Sequence, residues 1–443
     1  MSRSRAIKPT ASKSRRRHRP RSGRRQRKSL ARRRQVRRGR RRDKRRRRKA
    51  GASARIHRPD AKHTAPLYRR ALEQLVEKAY GSLLHKKQQL SVFMIGYAIL
   101  WSDRLGIAAV GRALARRAFG GRKPKHGIKQ VDRALSNENL DLQTLYNGYV
   151  SIVVGQRISI AVNLDWTEFD KDDHSTCSLS LVTRSKRAIP LVWLTVIKSQ
   201  LKGRQRKHEK KVLKMLADAL PVGMDVIILA DRGFGDVKLY DYIYNTLGFN
   251  FVIRFRPNIY VEWEEYLWPA RDLVPRNGRI RVIRDTTITA KEAGPYTVVL
   301  IKAAGMKDSW CLATSMSQTD GRRVVDWYSR RFQCEEAFRD LKDRRYGYGL
   351  RFTKIRKCER RDRFLLLFSL AYLVQTLMGA SSEDLGLDKD LRANTVQART
   401  HSLFFQGREL LGELGRETYV RLAERFRMST KVLFQVGLYE LAI

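Results

Sequence analysis

Apolar and polar positions divide the chain into a helical stretch, a strand-rich stretch and a second helical stretch. Across residues 62–150, Leu67, Ala71, Leu72, Leu75 and Ala79 recur at three- and four-residue spacing, the stripe of an amphipathic helix. An apolar run follows at 90–101, and 106–119 interleaves Ile107, Val110 and Leu114 with Arg112, Arg116 and Arg117. A basic turn at 120–126 leads into another short helical pattern at 128–135. Period two then takes over. Ile158, Ile160, Val162 and Leu164 alternate with Ser159, Ala161, Asn163 and Asp165, predicting a strand that places Asp165 opposite its apolar row. Strand-like runs at 178–183 and 189–197 come soon enough for a meander. A charged helix at about 208–220 precedes Val-Ile-Ile-Leu-Ala at 226–230, an unbroken run typical of a central buried strand, which Asp231 ends. A helix through 239–247 and a strand at 249–255 complete an order that predicts a mixed α/β sheet covered on both faces.

Between 257 and 318, Pro257, Pro269, Pro275 and Pro295 separate short alternating runs at 279–283 and 297–302, which reads as a mostly β insertion. Helix returns at 322–344 and again in the apolar stretch 361–378. The expected domains are a tail at 1–58, a helical unit at 62–150, an α/β core at 155–380 and a helical C-terminal region at 381–443. The apolar stretches at 90–101 and 364–378 are shorter than the roughly 20 residues of a membrane span, and Arg361 and Arg363 head the second. Both read as core helices, and no membrane partner is expected. The basic N-terminus has no apolar segment behind it, unlike a signal peptide.

Charge narrows the partners. The 443 residues hold 93 Lys+Arg against 43 Asp+Glu, a net +50. Residues 1–58 hold 29 Lys/Arg and one acid, Asp43, a balance of +28, which leaves +22 on the rest. The tail cannot bury enough apolar surface to offset its ordering entropy, so disorder is expected there. A positive field of this size favours polyanions through counterion release. In the helical unit, Lys125, His126, Lys129 and Arg133 are available to phosphates or base edges, as in a small DNA-binding domain; a solvated basic face is the plainer reading. Gly106 and Gly111 have phosphate-loop spacing, but Arg112 and Ala113 stand where Lys and Ser/Thr would be, so no nucleotide cofactor is expected. Cys177, Cys311, Cys334 and Cys358 form no C-x-x-C pair and have no His at ligand spacing, which argues against a zinc ribbon and suits a reducing cytoplasm.

Asp165 and Asp231 each sit at or near the end of a strand predicted to be central. A carboxylate buried there is costly unless it is paired, hydrogen-bonded or bound to a cation; capping of the following turn is the competing explanation. A third acid comes from helix geometry. At about 100° per residue with Tyr328 as zero, Arg331, Glu335, Arg339 and Lys342 fall within about 60° of it, while Trp327, Cys334, Ala337, Phe338 and Leu341 occupy roughly 180° to 280°. Glu335 thus lies among cations beside a core-packing face, whereas Glu336 falls outside that stripe. An ordinary salt-bridged exposed helix has the same pattern.

The spacing Tyr328-x2-Arg331-x3-Glu335-x6-Lys342 resembles the Tyr-Arg-Glu-Lys signature of bacterial transposases of the insertion sequence 4 family. Asp165, in Leu-Asp-Trp-Thr, and Asp231, in Ala-Asp-Arg-Gly-Phe, match the two aspartates of its DDE triad. The resemblance covers about residues 65–410. It implies a ribonuclease-H-like catalytic core with a β insertion between the second Asp and the Glu, preceded by a domain that recognises the element's ends. The Arg-rich tail departs from that pattern. Three carboxylates can hold two magnesium ions about 3.5 to 4 Å apart for an in-line displacement, and manganese can substitute. The expectation is that Asp165 bridges both ions, with Asp231 and Glu335 each holding one. Water cuts at the transposon end, and the freed 3′ hydroxyl attacks target DNA.

The resemblance further implies that Tyr328, Arg331 and Lys342 bind phosphates near the end, with Arg339 on the same face. Trp310, before Cys-Leu-Ala-Thr-Ser, is similar to a tryptophan that stacks on a flipped base, a contact typically worth about 1 to 3 kcal/mol; a core Trp at a strand start is the alternative. Arg254 is a further DNA-contact candidate. Symmetric end pairing implies a homodimer on double-stranded DNA in the bacterial nucleoid, with the C-terminal helices as interface. Two other functions stay open: a metal-dependent nuclease that cuts without joining, and a basic nucleic-acid packaging protein.

Overall fold

The computed structural model describes residues 64–117, 123–289, 293–343, 346–350, 353–410 and 414–437. The tail at 1–58 and residues 120–122 of the basic turn lie outside them. The first apolar stripe folds as α1 (Ala65–Tyr80), which buries Leu67, Ala71, Leu72, Leu75 and Ala79. It is followed by α2 (Lys86–Leu100), α3 (Ile107–Arg117), α4 (Pro124–Leu135) and α5 (Leu142–Val154). Helices α3 and α4 meet at two glycines. A Cβ on Gly111 would lie 2.4 Å from Ile128 Cα, and one on Gly127 would lie 2.1 Å from the Gly111 carbonyl oxygen. Gly111, which contributes to the phosphate-loop spacing, is therefore a packing residue that lets two backbones touch.

The period-two segment forms β1 (Ser159–Phe169), β2 (His174–Leu181) and β3 (Ile189–Ile197), an antiparallel meander. After α6 (Gln205–Ala219) come β4 (Asp225–Ala230), the short α7 (Val237–Asp241) running into a π turn at Tyr242–Thr246, and β5 (Asn250–Phe255). Strands β1, β4 and β5 are parallel neighbours. Ile158 departs from the expected apolar row: it precedes the strand and is 85% exposed. Nor does alternation sort β1 into a wet and a dry face, because a central strand is covered on both. Ile160, Val162 and Leu164 enter the main core. Ala161 joins a smaller cluster with Ile227, Leu229, Val252, Val299, Leu312, Val324 and Tyr328.

The segment read as an insertion holds β6 (Tyr260–Trp263), β7 (Tyr266–Pro269), β8 (Arg281–Ile288), β9 (Ala293–Ile301) and β10 (Trp310–Thr314). These strands extend the central sheet, since β10 pairs antiparallel with β5. The resulting ten-stranded sheet runs β3-β2-β1-β4-β5-β10-β9-β8-β6-β7.

The helix expected at 322–344 is two helices, α8 (Gly321–Ser329) and α9 (Phe332–Lys342), separated by a turn at Arg330 and Arg331. The two cores explain the break. Tyr328 of α8 enters the smaller cluster, whereas Cys334, Ala337, Phe338 and Leu341 of α9 enter the main one. A straight helix keeps a single apolar stripe and cannot serve both.

The stretch at 361–378 belongs to a longer helix, α10 (Cys358–Asp384), of 27 residues. By length and composition it could span a bilayer, yet 94% of its most apolar window is buried inside the fold. Its first two turns carry buried charges, each with partners, as burial requires. Arg361 bonds Asp172 and His174, Arg363 bonds the Leu135 and Leu140 carbonyls, and Asp362 accepts from the Thr195 amide at 3.0 Å. Around α10 pack α1, α2, α5, β3, α11 (Leu403–Glu409) and α12 (Arg416–Val436).

Candidate active site

The register of two parallel strands sets the two aspartates side by side. Leu164 of β1 pairs with Ala230 of β4, so Asp165 and Asp231 are the next positions on adjacent strands, on the face occupied by Tyr328. Neighbouring strands lie about 4.8 Å apart. One Asp165 oxygen accepts from the Trp166 amide at 2.9 Å, and the other lies 3.5 Å from Cys334 Sγ on α9. Asp231 accepts from the Gly233 amide at 2.8 Å and caps the short turn Arg232–Phe234. Capping and placement beside Asp165 therefore hold together at this residue.

Burial pushes the Asp165 carboxyl up to about 6; Asp231 adds to the rise, while Arg331 opposes it. Burial and then the Asp165 charge push the Cys334 thiol up as well, which keeps it a proton donor to Asp165. Arg331, in the turn between α8 and α9, is buried, and its Nη2 bonds Glu335 Oε1 at 2.5 Å. The guanidinium also lies 4.6 Å from the Phe332 ring centroid and 5.9 Å from that of Tyr328. Tyr328, expected on an exposed edge, is buried. Burial raises its phenol, Arg331 and Arg254 pull it down, and Asp231 raises it.

Trp310, at the start of β10, meets Tyr328 edge-on with centroids 4.8 Å apart and planes at 74°. Arg254 of β5 donates to the Ser309 carbonyl at 2.9 Å, one residue before Trp310. The structure thus brings Asp165, Asp231, Arg331, Tyr328, Trp310 and Arg254 to one face of the sheet, with Glu335 tied to Arg331. Arg339 and Lys342 are engaged along α9: Arg339 pairs with Glu336 at 2.9 Å, and Lys342 Nζ lies 5.3 Å from the Phe338 ring centroid. Lys125, His126, Lys129 and Arg133 lie on the exposed side of α4. The last three line a groove of about 690 Å³ against Ser91 and Ile95 of α2.

Several supporting residues carry no catalytic motif. Gln333 pins the start of α9 to the end of β2, accepting from the Thr183 amide and donating to its carbonyl, both at 2.9 Å. On α6, buried Glu209 accepts from Trp166 Nε1 at 3.0 Å, beside Asp165, and from Arg206 at 2.5 Å. Arg206 reaches Asp236 at 2.9 Å and the Gly233 carbonyl at 3.2 Å, in the loop that Asp231 opens. The only signal for this network in the sequence is one acid among the cations that open a basic helix.

Among the described residues, no three His, Cys, Asp or Glu are gathered closely enough to hold a metal ion. The donor set nevertheless suits a hard divalent cation. Two carboxylates adjoin, one has a raised pKa that a cation would relieve, and a third sits one helical turn past a guanidinium that interacts with both Asp165 and Glu335.

Residues 194–374 match the family model described as "Transposase DDE domain". The match includes Asp231 and Glu335 and begins after Asp165. No curated protein matches the chain. DDE transposases depend on divalent metal, and residues 194–374 are accordingly a DDE-type transposase domain, an enzyme domain of metal-dependent phosphoryl transfer in DNA transposition.

Proposed function

We propose that this protein is a transposase of the insertion sequence 4 type that binds the ends of its element, cleaves DNA there and joins the freed 3′ ends to a target. The observation that carries the proposal is the placement of Asp165 and Asp231 one residue past the last paired positions of two adjacent parallel strands, close to the Arg331–Glu335 ion pair. Asp165, Asp231 and Glu335 are the catalytic acids and would hold magnesium, with manganese as a substitute. The bound ions would supply Lewis-acid stabilisation of the attacking and leaving oxygens.

Asp165, with its carboxyl near 6, is largely ionised at neutral pH. Arg331 balances the charge of the acids and engages a phosphate, with Tyr328, Arg339, Lys342 and Arg254 as further phosphate contacts. Trp310 offers an aromatic surface to an extruded base. His126, Lys129 and Arg133 along the α2–α4 groove, with Lys125 on the same exposed side of α4, bind the element's end as a helical DNA-binding unit. The protein works as a homodimer through its C-terminal helices, on double-stranded DNA of the nucleoid.

The test is cleavage of duplex DNA bearing the inverted repeats that flank the gene, in magnesium, followed by strand transfer from pre-cut ends. Alanine at Asp165, Asp231 or Glu335 is expected to abolish cleavage while end binding persists; full cleavage by Asp165→Ala would overturn the assignment. Cleavage without strand transfer would make the enzyme a nuclease instead.

A further inference from the structure

Residues 198–214 hold eight Lys/Arg and a single acid, Glu209, and most of them fold as α6. At about 100° per residue, Arg204, Lys207, Lys211, Lys214 and Asp218 fall within about 80° of one another. All five are exposed, while Glu209, Val212, Leu213, Leu216 and Ala219 are buried beneath the helix. Lys214 pairs with Asp218. Arg204, Lys207 and Lys211 have no ion-pair partner among the described residues. Burial, followed by Lys207, Lys211 and Arg204, holds the His208 imidazole below its ordinary value, which registers the local positive field. Unpaired cations on one stripe are poorly placed to stabilise the fold, because each repels the next.

The three span about 10 Å of helix at 1.5 Å per residue, a length over which duplex DNA presents roughly six phosphates. Cations of this kind hold phosphates without reading bases. The same helix is fastened to the active centre through its buried side. Glu209 bonds the neighbour of Asp165, and Arg206 bonds the loop that follows Asp231.

We propose that Arg204, Lys207 and Lys211 form a sequence-independent track for the phosphates of duplex DNA, separate from the α2–α4 groove and fastened through Glu209 and Arg206 to both aspartate-bearing strands. The proposal rests on the reading that the protein acts on DNA. It adds where duplex beyond the recognised end is held. That duplex is either the target or the DNA flanking the end.

The full chain is titrated with a random-sequence duplex over a range of salt, as wild type and as R204Q/K207Q/K211Q. Each lost contact is expected to make the slope of log affinity against log salt shallower by about 0.9, so by up to about 2.7 for the triple variant, with binding weakened about 10²-fold at 0.1 M salt. A control, R276Q/R279Q/K302Q, removes equal charge from exposed positions beside the β8–β9 segment, far in sequence from α6 and outside the proposed binding residues. An unmoved slope in the α6 variant, or an equal change in the control, overturns the track. If the triple variant unfolds, single substitutions serve, each expected to shift the slope by about one unit. With end-bearing duplex, loss of strand transfer alone places target DNA on the track, and loss of cleavage as well places the flank there. A wild-type protein that cuts no end while the slope still changes keeps the track and removes the transposition reading. A protein that cuts ends with an unmoved slope removes the track alone.

Discussion

Arg331 Nη2 lies 2.5 Å from Glu335 Oε1, joining a buried guanidinium to a half-exposed carboxylate one helical turn away. The same guanidinium opposes the rise in the Asp165 pKa caused by burial and by Asp231. Replacing it with a neutral amide, Arg331→Gln, is therefore expected to move the Asp165 midpoint above about 6. Carbon-detected NMR titration of the aspartate carboxyls checks this, and an unmoved midpoint contradicts it. End cleavage in single turnover should fall by about 10²-fold or more, as when a preorganised electrostatic contact is lost.

Asp165 carries a cost that its neutral isostere would not. Its folded-state pKa is raised, so the native protein binds this proton more tightly than the unfolded chain, and stability is lost as pH rises from about 4 to about 6. Asp165→Asn should raise unfolding free energy at pH 8 by about 2 kcal/mol, at about 1.4 kcal/mol per pKa unit and with allowance for residual solvent, and should flatten that part of the pH profile. Denaturant unfolding at pH 4 and pH 8 without divalent metal measures both effects. A destabilised Asn variant would show that the carboxylate is well satisfied where it stands.

Gln333 is the tether between the helix of Glu335 and the sheet. Gln333→Ala strips both partners from the buried Thr183 backbone, and at about 1 to 3 kcal/mol for each unsatisfied group should cost roughly 2 to 4 kcal/mol. Gln333→Glu should be at least as harmful, because a carboxylate would face the Thr183 carbonyl. Urea unfolding gives the stability, and hydrogen exchange across 332–342 should show faster local opening of α9 than of β1. Uniform exchange across both would argue against a tether.

The elements that carry the two aspartates are legible in sequence by different signals. The strand before Asp231 is written in unbroken apolar letters, Val226–Ala230, that end where the carboxylate begins, whereas β1 shows itself by alternation and runs on past Asp165 to Phe169. The turn at Arg330 and Arg331 is not legible. Those residues suit a helix as well as their neighbours do, and only the demand that Tyr328 and Cys334 enter different cores breaks it. For the same reason the helical wheel puts Tyr328 and Arg331 on an exposed edge, although both are buried. Ile158 shows the converse limit: one more apolar residue in an alternating run says nothing about where strand pairing starts. Gln333, Arg206 and Glu209 hold positions through partners from about 30 to 150 residues away, which no local spacing records.

Helix α10 closes the main core over α1, α2 and α5, yet it begins about 200 residues after α5 ends and is complete only about 230 residues after it. During synthesis at about 5 to 20 residues per second, the apolar faces of those early helices wait roughly 10 to 50 s for the segment that covers them. The newborn protein is therefore most exposed to misassociation while its catalytic strands are being made. Its dependence on chaperones should follow the speed of translation between α5 and α10 more than the stability of the finished fold.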